Sequence, residues 1–238
     1  MKMIVSDYDN TIKRFYGIPN TIQKIDLILD LRYIKKFIEE GNLFNISSKR
    51  TITSIREEIE KNKVPYSYVT AHGGLVTFYN NDQLVHAEYL HKEILQAIET
   101  LSKTTNLLQS IRTSDEYGNG KQDLKDKLIL IRLSVRNIRD TMDFFRNLNI
   151  DLNKYHFSYD NHGFWISNVI NKNIGIKLLL NQMNQQPNEI ITIGDSFHDV
   201  EMIYEYDGWC IKNSELDLYN SGTINRIPNI RTLIKQTK

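Results

Sequence analysis

The sequence predicts an α/β protein whose parallel sheet is interrupted by an inserted α+β segment. Three observations carry this reading. Short apolar runs alternate with amphipathic stretches over residues 3–70, the pattern of a parallel sheet with crossover helices. The alternation stops over residues 85–168, where closely spaced strand-like runs take over. It then resumes from residue 174. The expected organisation is a discontinuous core of residues 1–84 and 169–238 around an inserted α+β domain of residues 85–168.

Each element has a local reason. Met3–Ser6 is apolar and ends on acidic residues, which suits a buried strand with functional groups at its tip. Ile22, Ile25, Leu29, Tyr33 and Phe37 recur at steps of three and four, predicting a helix over 21–40 with Gly41 as its C-cap. Leu43–Ile46 reads as the second strand, 51–61 as a helix and 66–70 as the third strand. The stretch "GGLVTFYNNDQLVHAEY" predicts a hairpin turning at Asn80–Asp82. A helix over 91–103, strands over 107–113 and 127–135, a helix over 137–148 and strands over 154–160 and 163–167 fill the insertion. Ile176, Leu179, Leu180 and Met183 share one side of a helix over 174–183. "NEIITIGD" is a buried strand, 199–206 a short helix, 208–211 a strand and 230–235 a terminal helix.

Composition narrows the function. The 238 residues carry 30 Lys and Arg against 29 Asp and Glu, a net charge of +1 that argues against a nucleic-acid partner. A 40% hydrophobic content with 25% charged residues suits a globular chain and not a disordered one. No apolar run is long enough to span a membrane. An aspartate at position 7 leaves no room for a signal peptide, so a cytoplasmic location is expected. Cys210 is the single cysteine and sits in an apolar run, as a buried inert thiol would.

Four elements carry chemistry. Asp7 and Asp9 stand just after the first strand, where open α/β sheets place ligands. Carboxylates so close repel unless a proton or cation intervenes, and an oxygen-rich site suits a hard ion such as Mg²⁺. "GDSFHD", Gly194–Asp199, adds Asp195 and Asp199 at another strand tip. Ser47 and Ser48, before Lys49 and Arg50, offer hydroxyls and amides at a helix start, as an anion site or simply as a helix cap. Lys172 precedes the helix at 174. Each element alone has a plain reading as a solvated loop, a cap or a surface lysine.

Together, and in this order, they resemble the haloacid dehalogenase (HAD) superfamily, with its Asp-x-Asp-x-Thr loop, Ser or Thr, Lys and final Gly-Asp-x-x-x-Asp loop. The 23 residues from Lys172 to Asp195, the words "PNEIITIGD" and the stretch "AHGGLVTFY" are similar to the Cof-type branch. The resemblance covers essentially the whole chain. It implies a Rossmann-like core, with residues 85–168 as a cap inserted after the second motif. It implies a Mg²⁺-dependent phosphatase acting on a small phosphorylated metabolite, such as a sugar phosphate. Asp7 would be the nucleophile and Asp9 the general acid and base. Thr11 would shape the loop and join Ser48 and Lys172 in the phosphate site. Asp7, Asp9 through its carbonyl, Asp195 and Asp199 would form the metal set.

The sequence departs from the family at several points. His198 replaces the usual Asn, and Lys49 replaces a Gly and adds a cation near the phosphate. Asn173 follows Lys172 where Gly is usual. "SSKR" also resembles the Ser-Lys variant of mannosylglycerate-phosphate phosphatases. This leaves open a dedicated sucrose-, trehalose- or mannosylglycerate-phosphate phosphatase, or a phosphomutase. Only His198 and Lys49 suggest a non-catalytic phosphate-binding regulator, and a pure binder needs no acid/base at Asp9. In the insertion, Tyr159, His162 and Trp165 either pack in the cap sheet or face a sugar. Arg112, Arg132 and Arg136 are either solvated or contacts to a second anionic group. Oligomeric state is left open.

Overall fold

The computed structural model describes residues 1–13, 20–79, 83–118, 124, 127–160, 163–168 and 171–237. The chain divides into two compact units. The first comprises Met1–Arg50, Ser54–His86 and Asn171–Lys238, and the second Thr51–Thr53 and Ala87–Ile170.

The first unit is built on a mixed eight-stranded sheet. Its strands are β1 (Lys2–Asp7), β2 (Leu43–Ser47), β3 (Tyr68–Ala71), β4 (Val76–Tyr79), β5 (Leu84–Ala87), and, from the far side of the second unit, β10 (Glu189–Gly194), β11 (Trp209–Ile211) and β12 (Asn225–Ile227). The spatial order is β12-β11-β10-β1-β2-β3-β4-β5. The six strands from β12 to β3 are parallel, and β4 runs antiparallel to β3. The predicted hairpin turn at Asn80–Asp82 lies outside the described residues.

This order reverses at β1. The chain progresses outward from β1 through β2 and β3 on one side, and from β10 through β11 and β12 on the other. Such a switch point leaves a crevice at the carboxyl ends of the two strands that flank it. β1 ends at Asp7 and β10 at Gly194, so the sheet itself brings the two acidic loops together.

The helices of this unit are α1 (Asn20–Glu39), α2 (Ile52–Asn62), α5 (Lys172–Gln182), α6 (Val200–Glu205), α7 (Glu215–Tyr219) and α8 (Ile230–Gln236), with α2 beginning just inside the short segment grouped with the second unit. Gly41 closes α1 in the left-handed region at φ +83°, and its N–H bonds to the Ile38 carbonyl at 2.9 Å. The inward face of α1 differs from the expected one. Ile34 and Phe37 are buried, but Ile22, Ile25 and Ile28 are exposed. The buried position nearer the start of the helix belongs to Asp30, which meets Arg231 of α8 at 3.2 Å. An ion pair thus takes an inward position of α1, which periodicity alone does not foresee. No described helix is long and apolar enough to cross a membrane.

The start of α5 is set by a close backbone contact. A 3-10 turn, His72–Gly74, follows β3 and carries Gly73 and Gly74 at φ +68° and +109°. A Cβ on Gly175 would stand 2.4 Å from the Gly74 Cα. The Asn171 side chain caps α5 by accepting from the Ile174 N–H at 2.8 Å. The helix therefore starts two residues earlier than its apolar pattern suggests, with Lys172 in its first turn. Gly175→Ala is expected to destabilise the protein by about 1–3 kcal/mol through overpacking. That loss exceeds the helix-propensity gain of alanine, about 0.5–1 kcal/mol. A urea denaturation midpoint equal to the parent's would show that α5 can move away freely.

The second unit holds a four-stranded antiparallel sheet in the order β6-β7-β9-β8. Its strands are β6 (Leu108–Ser114), β7 (Leu130–Val135), β8 (Tyr155–Asp160) and β9 (Gly163–Asn168). Helices α3 (Lys92–Thr104) and α4 (Ile138–Arg146) supply Ile94, Ile98, Leu101 and Phe145 to a core shared with Ile131, Leu133, Phe164 and Ile166. Successive strand residues alternate faces, so Arg112, Arg132 and Trp165 fall on the opposite side from this core. Tyr159 is 71% exposed, and His162 lies outside the described residues.

Candidate active site

Every residue of the four chemical elements lies in the first unit. Asp7 is the last residue of β1 and is pinned beside Ser47 of β2 in the parallel register. The chain then turns tightly. Asn10 takes φ +59°, and the Ile12 and Lys13 N–H groups both donate to the Tyr8 carbonyl. The turn buries Thr11, whose hydroxyl points to Asp195 Oδ1 at 3.4 Å.

At the end of β10 the backbone passes against Asp199 so closely that a Cβ on Gly194 would lie 2.4 Å from the Asp199 Cβ. Glycine is required by this approach. Asp199 is fully buried, and its Oδ2 accepts from the Asp195 N–H at 3.0 Å and from the Ser196 N–H and hydroxyl at 3.1 Å. Its Oδ1 accepts from Lys172 Nζ at 2.6 Å. Lys172 also donates to Asp7 Oδ1. Asp199 thus ties the loop after β10 to the lysine, and the lysine to Asp7.

Asp7, Asp195 and Asp199 form a buried cluster whose oxygens lie within 4.8 Å of one another. Burial raises the Asp7 pKa well above the ordinary value; Lys172 pulls it down, and Asp199 and Asp195 push it further up. Burial, with Asp199, lifts Asp195 to about 6. Burial also works against the Lys172 ammonium, but Asp199 and Asp7 together outweigh it and hold the pKa above its usual value. Three carboxylates around one ammonium leave an excess of negative charge. An all-oxygen donor set with that excess fits a hard divalent cation.

The other predicted residues are placed as follows. Ser48 is buried, donates its N–H to the Thr70 carbonyl at 2.8 Å and accepts from the Arg50 N–H at its hydroxyl oxygen at 3.2 Å. The hydroxyl hydrogen of Ser48 is not used by that contact. Ser47 is also fully buried, and its hydroxyl has no hydrogen-bond partner among the described residues. Lys49 and His198 meet each other, Nζ to Nδ1 at 2.8 Å. Burial and then the Lys49 charge lower the His198 pKa, which favours a neutral ring beside the Lys49 ammonium. Burial and then Lys172 lower the Lys49 pKa.

Arg50 has a place in the site that sequence reasoning missed. Its guanidinium makes a two-pronged pair with Asp9, Nε to Oδ2 and Nη2 to Oδ1, both at 2.8 Å. The signal was available, since Arg50 ends the same "SSKR" loop, but nothing in the sequence says that the loop faces Asp9.

Comparison with known proteins agrees with this geometry. The profile of a family described as haloacid dehalogenase-like hydrolase matches residues 4–164 and 127–218. No curated protein sequence matches the chain. Among solved structures, a haloacid dehalogenase-like hydrolase from Bacteroides thetaiotaomicron is 16% identical at a TM-score of 0.69, covering 100% of this chain and 99% of that one. A HAD-superfamily phosphatase from the same organism is 13% identical at a TM-score of 0.69, covering 99% and 93%. A HAD subclass IIB sugar phosphatase is 11% identical at a TM-score of 0.63, covering 100% and 99%. At these identities the likeness concerns the fold, which is a Rossmann-like core with a cap. With a profile match running through both units and the acidic loops meeting at the switch point of the sheet, the chain belongs to the haloacid dehalogenase-like hydrolase family.

Proposed function

We propose that the protein is a Mg²⁺-dependent phosphatase that hydrolyses a small phosphorylated metabolite, such as a sugar phosphate, through an aspartyl-phosphate. The observation that carries this reading is the Asp7–Lys172–Asp199 chain of contacts beside Asp195 at the switch point. A carboxylate can approach a phosphate dianion only where the repulsion between them is offset. Lys172 supplies one positive charge at the nucleophile. Mg²⁺ held by Asp7, Asp195 and the Asp9 carbonyl, with Asp199 behind them, would supply the rest as a Lewis acid.

In the proposed reaction an Asp7 oxygen attacks phosphorus as the bond to the leaving oxygen breaks. Asp9 donates a proton to that oxygen, releasing an alcohol. Asp9 then takes a proton from water as the water attacks the aspartyl-phosphate, giving inorganic phosphate and free Asp7. Ser48 and Lys172 would hold the phosphoryl oxygens, and Thr11 the shape of the loop. A carboxylate gripped by a guanidinium accepts hydrogen bonds and does not donate a proton. Asp9 must therefore leave Arg50 for the first step, and Arg50 acts as a positioning residue for the resting state. We take the second unit as the cap that selects the leaving group. The Lys49–His198 contact occupies two of the departures from the family pattern with each other. That supports retained catalysis over a purely regulatory role.

The test is phosphate release across a panel of small phosphomonoesters near neutral pH with Mg²⁺. Turnover of at least one sugar phosphate, lost with a chelator and restored by Mg²⁺, is the expected result. No release from any panel member by folded protein would overturn the proposal.

A further inference from the structure

Granting the phosphatase reading, we propose that Lys49 and His198 receive a second acidic group of the substrate at the rim of the site. They would thereby select a phosphomonoester that also carries a carboxylate or a second phosphate over a neutral sugar phosphate. The two loops after β2 and β10 place the pair. Ser48 and Asp199 are buried, whereas their chain neighbours Lys49 and His198 are exposed. Each loop thus buries one residue and presents the next at the surface. The two surface residues, 149 positions apart in the chain, meet at 2.8 Å.

That contact uses one of the three N–H donors of the ammonium and one of the two ring nitrogens. Two ammonium N–H groups and Nε2 therefore remain to meet a ligand. Neither residue forms a hydrogen bond or an ion pair with an acid among the described residues. Asp199, Glu201 and Glu215 act on the pair only through space. Burial and then the Lys172 charge work against the Lys49 ammonium, so an anion brought against it relieves both. The same influence puts the pair within electrostatic range of Lys172, the group proposed to hold the phosphoryl oxygens.

Depth decides which group the pair meets. Lys172 and Asp7 are buried together, and the scissile phosphate has to reach them. A substrate so placed keeps the rest of its body nearer to solvent, at the depth of the exposed pair. A hydrogen bond from an ammonium to a carboxylate or phosphate is roughly twice as strong as one between neutral groups. An acid on that part of the substrate is therefore preferred to a hydroxyl or a methyl group.

Phosphate release from two matched pairs of esters tests this: phosphoglycolate with ethyl phosphate, and phosphoglycerate with glycerol phosphate. One member of each pair carries a carboxylate and the other does not. In at least one pair, kcat/KM should be about tenfold or more higher for the acidic member. Lys49→Gln and His198→Leu should each cut that ratio by about fivefold or more, and Lys49→Arg should keep most of it. Both positions are exposed, so these replacements leave folding intact. A ratio near one in both pairs, or one that neither Lys49→Gln nor His198→Leu alters, would overturn the rim site and leave the phosphatase reading standing.

Calorimetric titration of Asp7→Asn protein with the same esters and Mg²⁺ reads binding without turnover. The acidic members should bind about tenfold or more tightly, and adding Lys49→Gln should remove the difference. If that preference is present while the parent releases phosphate from no ester, the phosphatase reading falls and the rim site stands. Equal binding of acidic and neutral members would overturn the rim site.

Discussion

Asp7→Asn is expected to remove turnover by roughly 10⁴-fold or more while leaving the fold as stable as before, or more so. The carboxamide keeps the shape of the side chain but is a far poorer nucleophile. The stability argument runs the other way from the usual one for a buried ion. Asp7 is 7% exposed, and burial with two neighbouring carboxylates raises its pKa. A carboxyl group whose folded pKa lies above its unfolded one opposes folding in its charged form, at any pH above the unfolded value. Asparagine relieves that cost, and Lys172 still keeps Asp199 at 2.6 Å. The check is phosphate release together with a thermal melt at neutral pH. A variant with a tenth of the parent turnover would exclude Asp7 as the attacking group. A clearly lower melting temperature would show that the Lys172 contact outweighs the repulsion among the acids.

Lys172→Met should damage both stability and catalysis. Lys172 is 3% exposed and bridges Asp7 and Asp199, which are 7% and 0% exposed. Removing the cation from a buried ion cluster strands the remaining charges, at a cost of about 3–5 kcal/mol. For a chain of this size that corresponds to a fall in melting temperature of roughly 10 °C. Turnover should fall by about 10²–10³-fold, because one of the charges that offset the phosphoryl group is gone. Part of the lost stability should return when Mg²⁺ is added, since a cation that binds only the folded acid cluster stabilises it by mass action. Thermal melts with and without Mg²⁺ measure this directly. An unchanged melting temperature without Mg²⁺ would mean that Lys172 is not the counter-ion of the cluster.

Much of this site is legible in the sequence because its chemistry is carried by short motifs at strand ends. The acid pairs Asp7/Asp9 and Asp195/Asp199 each follow an apolar run, and the run itself announces a buried parallel strand. The weaker parts of the reading have physical causes. α7 and β12 are too short, at 5 and 3 residues, to show a period. α5 starts two residues before its apolar pattern because Asn171 caps it and Lys172, not an apolar residue, opens its first turn. The inward place of Asp30 on α1 goes with its ion pair to Arg231, about 200 residues away in the chain.

What the sequence determined by itself was therefore the class of fold, the family pattern and the identity of the acids and the lysine, since these follow from local order and composition along the chain. Only the tertiary structure decided who faces whom. It set Lys172 between Asp7 and Asp199, gave Arg50 to Asp9, paired Lys49 with His198, and aligned Arg112, Arg132 and Trp165 on one sheet face. Those partnerships come from strand order, register and the close approach of Gly74 to Gly175. They join residues far apart in the chain, and neither hydrophobic period nor motif spacing encodes a contact across such a distance.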